Sequence, residues 1–255
     1  MIDLLTAGGI SAVSVLLLVA TSFITALFTA TLGVGGGVLL LAVMASVVPV
    51  QVLIPLHGLV QFGANGNRAL MTIRHLDKPV FFYFLAGAVF GAILASFIVV
   101  RLPLLVIQFA VAAFILLLLW GPNPKPRPRN TSHRGNIVTG AVTTLIAMFV
   151  GAAGPLVAAF IHRKYDDKLT LTATFAACMT MQHALKAIVF STIGFAVYQW
   201  LPLITLMIAS GAAGTWLGLK MLVRLPTHHF KTAFKWIVTL LAIRLLYDAF
   251  STLLD

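Results

Sequence analysis

The chain has 255 residues, 60% of them hydrophobic and 9% charged, with a mean hydropathy of +1.05. A soluble domain carries about 25% charged residues, so there is too little polar surface here to coat a water-soluble globule. The net charge of +11 comes with six acids, none of them glutamate; the basic residues are spread over short loops rather than one folded face, which argues against nucleic acid, and a lone Cys178 excludes an intrachain disulfide and thiol metal sites.

Apolar runs near or above about 18 residues recur, and they are continuous rather than alternating. That pattern predicts an all-α polytopic membrane protein and not a β-barrel. Residues 1–6 hold no basic leader region and the apolar character continues past Val48, so the start reads as membrane segment. The first stretch, residues 10–48, is broken at Gly33-Val34-Gly35-Gly36-Gly37. Glycine weakens a helix interior, and a break at membrane depth is tolerated only against protein or a water-filled cavity. Spans are expected next over residues 52–73, 79–100 and 104–120, separated by Arg74-His75-Leu76-Asp77-Lys78 and Arg101-Leu102-Pro103. Four prolines alternating with polar and basic residues then make residues 121–136 an exposed, semi-extended linker.

The second half repeats the plan. Residues 137–161 are apolar and broken at Gly151-Ala152-Ala153-Gly154-Pro155, and a basic loop runs from His162 to Lys168. Spans follow over residues 169–196, 201–223 and 233–250, with a turn near Tyr198-Gln199-Trp200. Arg101-Leu102-Pro103 and Arg224-Leu225-Pro226 hold the same place in each half, as do Gly91 and Gly214, and Gln61 and Gln182. The shared order of breaks and endings points to an internal duplication. It divides the chain into an N-terminal membrane repeat (1–120), a linker (121–136) and a C-terminal membrane repeat (137–255). Each repeat is a glycine-broken hairpin or re-entrant segment followed by three transmembrane helices. Three crossings after a returning hairpin make the repeats inverted. The basic loops then segregate to one face, Arg101 excepted, which places the linker in the cytoplasm and both termini outside. About 25 residues cannot cross a core of about 30 Å twice, so the second broken segment is expected to turn near the midplane.

Polar residues inside the spans are the candidate site. His57, Gln61, Asn65 and Arg68, spaced by four, four and three, share one helix face. Such a stripe avoids lipid; interhelical hydrogen bonding explains it as well as substrate contact does, and Arg68 near a helix end can snorkel. Gln182 and Lys186 share a face in the equivalent helix, beside His183. Lys186 lies too deep to snorkel, so it needs water, a partner, an anion, or the free carbonyls of a broken helix. Half-helices starting at Gly36 and Gly154 would aim their positive ends at a cavity, with Pro155 suited to a first turn; close helix packing is the alternative use of these glycines. His57 and His183 are candidate proton relays, although a lone histidine is more often simply packed and hydrogen-bonded. No catalytic constellation and no cofactor motif is present, so an enzyme is disfavoured.

At this point the chain resembles the TauE/SafE family of membrane transporters, the sulfite exporter family. The resemblance rests on Thr31-Leu32-Gly33-Val34-Gly35-Gly36-Gly37 ahead of a proline-bounded apolar helix, on the Gly151-to-Pro155 break, and on two halves joined by a basic linker. It implies a plasma-membrane carrier of sulfur-containing anions such as sulfite, sulfoacetate and related sulfonates. The combined expectation is a secondary transporter working by alternating access. Backbone donors of Gly35, Gly36, Gly37 and Gly154 hold the anion with Gln61, Gln182 and Lys186, while Asn65 and Arg68 line the inner exit. A proton or the membrane potential is the expected driving ion or force. The other readings are a passive anion channel and a membrane partner protein without transport.

Overall fold

The computed structural model describes residues 9–32, 35–99, 103–121, 132–161, 164–221 and 228–254. Among these every regular element is helical: α1 (Ala12–Leu32), α2 (Gly36–Ala45), α3 (Val50–Thr72) with a short 3-10 turn at Ile73–His75, α4 (Lys78–Val99), α5 (Leu104–Trp120), α6 (His133–Val150), α7 (Gly154–Ile161), α8 (Lys168–Thr192), α9 (Val197–Met221) and α10 (His228–Leu254). Gly33, Val34, Arg101, Leu102, residues 122–131 of the linker, His162, Arg163 and Arg224-Leu225-Pro226 lie outside the described residues.

Both glycine clusters interrupt helices, and each leaves a long helix followed by a short one. The boundaries differ from expectation in three places, one of them the last helix, α10, which begins at His228, five residues before the expected 233–250. The turn before α9 falls at Gly194, with φ of 103°, and Tyr198-Gln199-Trp200 is already helical. A left-handed residue needs glycine, whereas Pro202, in the second turn of α9, does not end the helix. The first limb of the second broken segment also begins four residues early, at His133, where Ser132 caps the helix by accepting from the Gly135 amide. Its 18 residues make α6 about 27 Å long, enough for most of the hydrocarbon thickness, so the short limb is α7.

The helices pack in a reciprocal pattern. α3 and α8 lie against each other at the centre. Gly58 meets Lys186, Gly66 meets Thr180, and Ala69 packs with Ala176 and Ala177, so the two run antiparallel. The first helix of each half pairs with the fourth element of the other: α1 with α9, and α6 with α4. Both pairs run parallel and both depend on bare backbone contact. A Cβ at Gly91 would overlap the Ala141 carbonyl, and one at Gly214 would overlap the Phe23 carbonyl. These two glycines occupy matching sequence positions and serve the same purpose, close helix approach through small residues. Ser22 and Ser210 reinforce α1–α9 by donating across it to Met207 O (2.8 Å) and Val19 O (2.9 Å). The fifth helices, α5 and α10, pair antiparallel through Phe109–Phe250 and Trp120–Trp236.

Helices α1, α4 and α9 are long and apolar enough to cross a membrane. Their outer faces present large apolar side chains, including Leu16, Phe90 and Phe97, as a lipid-facing surface does. Of the buried ionisable and amide side chains, His57, Gln61, Asn65, Arg68, Gln182, His183 and Lys186 are on α3 and α8. At the end where α3 stops and α8 starts, the halves are tied by polar contacts. Tyr165 donates to Asp77 (2.6 Å) and the Asp77 amide donates to Thr174 (3.1 Å), while Lys164 bonds Asn136 of α6 inside the second half. Partial burial pushes the Tyr165 phenol above its usual range, aided by the bond to Asp77, and pulls the Lys164 ammonium down.

Candidate functional site

The two breaks face one another across α3 and α8. In the first, Gly35 takes φ of 109°, a conformation that favours glycine, and no side chain caps α2. The first helical bonds come from the Val38 and Leu39 amides to Gly35 O, which leaves the Gly36 and Gly37 amides ahead of the ladder. In the second, α6 ends at Gly151 with φ of 86°. The Leu156 and Val157 amides bond Ala153 O, leaving the Gly154 amide ahead of that ladder, and Pro155 has no amide to satisfy.

Side chains from α3 and α8 hold these ends in place. His57 donates through Nε2 to Gly37 O at 2.9 Å, because a carbonyl only accepts. Its ring meets His183 edge-on, with centroids 5.9 Å apart. Lys186 donates to Gly151 O at 2.6 Å, closing the C-terminal end of α6. It reaches there across α3 at Gly58, where a Cβ would lie 2.7 Å from Lys186 Cε. Gln182 donates to the hydroxyls of Thr143 and Thr144 on α6, each at 3.1 Å. Asn65 donates to the Gln61 carbonyl (2.9 Å) and to its side-chain oxygen (3.0 Å).

Between the breaks lies a cavity of about 340 Å³, its open mouth included. It brings together Gly35, Gly37, His57, Gln61, Asn65, Gly154 and His183 from the expected set. Gly36, Arg68, Gln182 and Lys186 do not line it. Gly36 instead abuts α1, where a Cβ would overlap Thr25 O and the Thr29 hydroxyl. Lys186 and Gln182 are turned to the backbone and hydroxyls of the second broken segment. Arg68 is 1% exposed and enclosed by protein, so it does not snorkel.

Sequence reasoning missed Thr29, Phe175 and Met179, which also line the cavity. Thr29 had a readable signal: Ser22, Thr25 and Thr29 form a small-polar stripe along α1. Phe175 and Met179 had none, since apolar residues in an apolar helix do not announce which face meets a cavity.

The lining holds no acidic side chain. Two helix N-termini, one from each half, border it at Gly37 and Gly154. Each carries roughly half a positive charge, so the pair offers about one unit to a ligand in a low-dielectric setting.

A protein-family model described as "Sulfite exporter TauE/SafE" matches residues 16–245. Comparison with curated proteins and with solved structures gives no match.

Proposed function

As a member of the sulfite exporter TauE/SafE family of membrane transporters, this chain, we propose, is a secondary transporter that moves a small sulfur oxyanion, sulfite or a short organosulfonate, through the cavity between its two broken helices. The observation that carries the reading is the convergence of two helix starts, at Gly37 and Gly154, on a cavity with no acid among the described residues of its lining. Such ends favour anions. Gln61 and Asn65 supply polar contacts beside them, His57 and His183 form the wall where α3 crosses α8, and Gln182 and Lys186 brace the second break from behind.

Inverted repeats and alternating access are part of the same proposal. Two observations support them. α3 and α8, the third elements of their halves, run in opposite directions, and so do α5 and α10. The α1–α9 and α6–α4 pairs give each half a glycine-smoothed face on the other, along which one unit can rock. Following the charge of the loops, the linker is assigned to the cytoplasm, both termini to the outside, and the protein to the plasma membrane.

Counterflow of labelled sulfite in proteoliposomes tests the proposal. Saturable uptake, accelerated by unlabelled sulfite or sulfoacetate on the far side, is the expected result. Flux that rises linearly with concentration and ignores the far side would instead establish a channel. No flux of either anion would sink the transport reading.

A further inference from the structure

Arg68 is the feature that the central cavity does not account for. It is among the largest side chains buried in the protein, and its Nε and Nη1 have no hydrogen-bond partner. Arginine stays charged in proteins, and burying guanidinium nitrogens without partners is strongly unfavourable. Two acids at that end of the molecule, Asp77 and Asp167, are otherwise engaged. Asp77 accepts from the Val80 amide and the Tyr165 hydroxyl, and Asp167 caps α8 through the Leu169 and Thr170 amides and the Thr170 hydroxyl.

Position gives this charge a meaning. The register of α3 against α8 places Arg68 between the depths of Met179 and Phe175, two residues that line the cavity on its α8 side. On α3 it continues the face of Gln61 and Asn65, three residues beyond Asn65. Helical side chains lean toward the helix N-terminus, so the arginine leans back toward Asn65 and the cavity. The membrane surface lies the other way.

We propose that Arg68 is a second anion station, separate from the helix starts, which receives the oxyanion between the central cavity and the face of the membrane where α3 ends. Its donors lie in a plane and suit the oxygens of a sulfite or sulfonate group. An anion arriving there supplies the missing counter-charge, and the α2 start beside Gln61 competes for it from about 10 Å further along α3, seven residues away at 1.5 Å each. The inference rests on the transport reading above and adds a side-specific step to it.

Sulfite transport measured from each face, in proteoliposomes holding the protein in one orientation, tests the step. With Arg68→Gln, KM at the α3-end face is expected to rise about tenfold or more, the scale of a lost charged hydrogen bond. KM at the opposite face should stay within about twofold. If Arg68→Gln does not fold, Arg68→Lys keeps the charge but loses the planar donors, and a rise confined to the same face is expected. Equal changes at both faces would show that Arg68 only supports the fold, and unchanged KM at both would remove it from the path; either result overturns the inference while leaving the transport reading intact. A wild-type protein that moves no sulfite from either face overturns both.

Discussion

Gly151 and Gly154 belong to one motif, yet the structure gives them different tasks, and two alanine substitutions should separate them. Gly151 has φ of 86°, so a side chain there costs roughly 1–2 kcal/mol in backbone strain. The new Cβ would lie 2.9 Å from Leu41 Cδ1 and 3.2 Å from Cδ2. Leu41, on α2, is fully buried, and shifting its terminal methyls adds about 1–3 kcal/mol of overpacking. Gly151→Ala is therefore expected to lose about 2–5 kcal/mol. At about 2–4 °C per kcal/mol for a chain of this size, Tm falls by roughly 4–20 °C. Gly154 is helical, and the nearest atoms to a Cβ there are Met179 Cε at 3.7 Å and Phe175 Cζ at 3.8 Å, ordinary contacts. Gly154→Ala should keep the parent's stability to within about 1 kcal/mol while placing a methyl at the cavity wall. The assay is thermal unfolding of detergent-purified protein followed by tryptophan fluorescence, with and without sulfite. Ligand that binds the folded form raises Tm by mass action, so Gly154→Ala should unfold near the parent's Tm yet lose the sulfite-dependent rise. A Gly151→Ala protein as stable as the parent, or a Gly154→Ala protein as damaged as Gly151→Ala, would refute this division.

The reciprocal packing makes a paired prediction: Gly91→Ala and Gly214→Ala push apart equivalent helix pairs, so their losses of Tm should match within a few degrees and add in the double variant, whereas a large effect from one alone would argue against equivalent contacts. Lys186→Met removes the charged donor to the Gly151 carbonyl, worth about 1.5–3 kcal/mol; a lower Tm with slower sulfite counterflow is expected, because the second break loses its brace, and unchanged counterflow would exclude Lys186 from the mechanism. The cap of α8 gives a pH dependence. Asp167 is held below its ordinary pKa first by the Thr170 hydroxyl and then by the Thr170 amide. A depressed carboxylate stabilises above its unfolded pKa and loses that contribution as pH falls through the folded one. The Tm gap between parent and Asp167→Asn should thus be full above about pH 4 and close at lower pH, and a gap that persists in acid would contradict the assignment.

Much of this architecture was legible because membrane helices announce themselves by length and glycine breaks them by mechanism. The interruptions near Gly35 and Gly151, the central polar helices and the pairing of Gly91 with Gly214 all follow from residue type and order. The turn near residue 198 was misplaced because aromatic Tyr198 and Trp200 with Gln199 resemble an interface loop, while the deciding signal was the left-handed conformation at Gly194. Site residues were legible as a polar face but not by role. The spacing of Gln182 and Lys186 placed them deep in a span, yet nothing in it tells a side chain turned to a neighbouring helix from one turned to a cavity. Lys186 reaches Gly151 O only because Gly58, on another helix, leaves room. Contacts between distant segments of this kind arise in three dimensions and have no local pattern.

The central claim is that two broken helices from opposite halves hold one oxyanion between their starts. Selenite replaces sulfur with a strong anomalous scatterer in the same oxygen geometry, so a crystal grown with selenite locates the anion directly. An anomalous peak is expected in the cavity within hydrogen-bond reach of the Gly37 and Gly154 amides and beside Gln61, lost in competition with sulfite. A cavity that stays free of selenium at saturating selenite, in a protein that still transports sulfite, would contradict it.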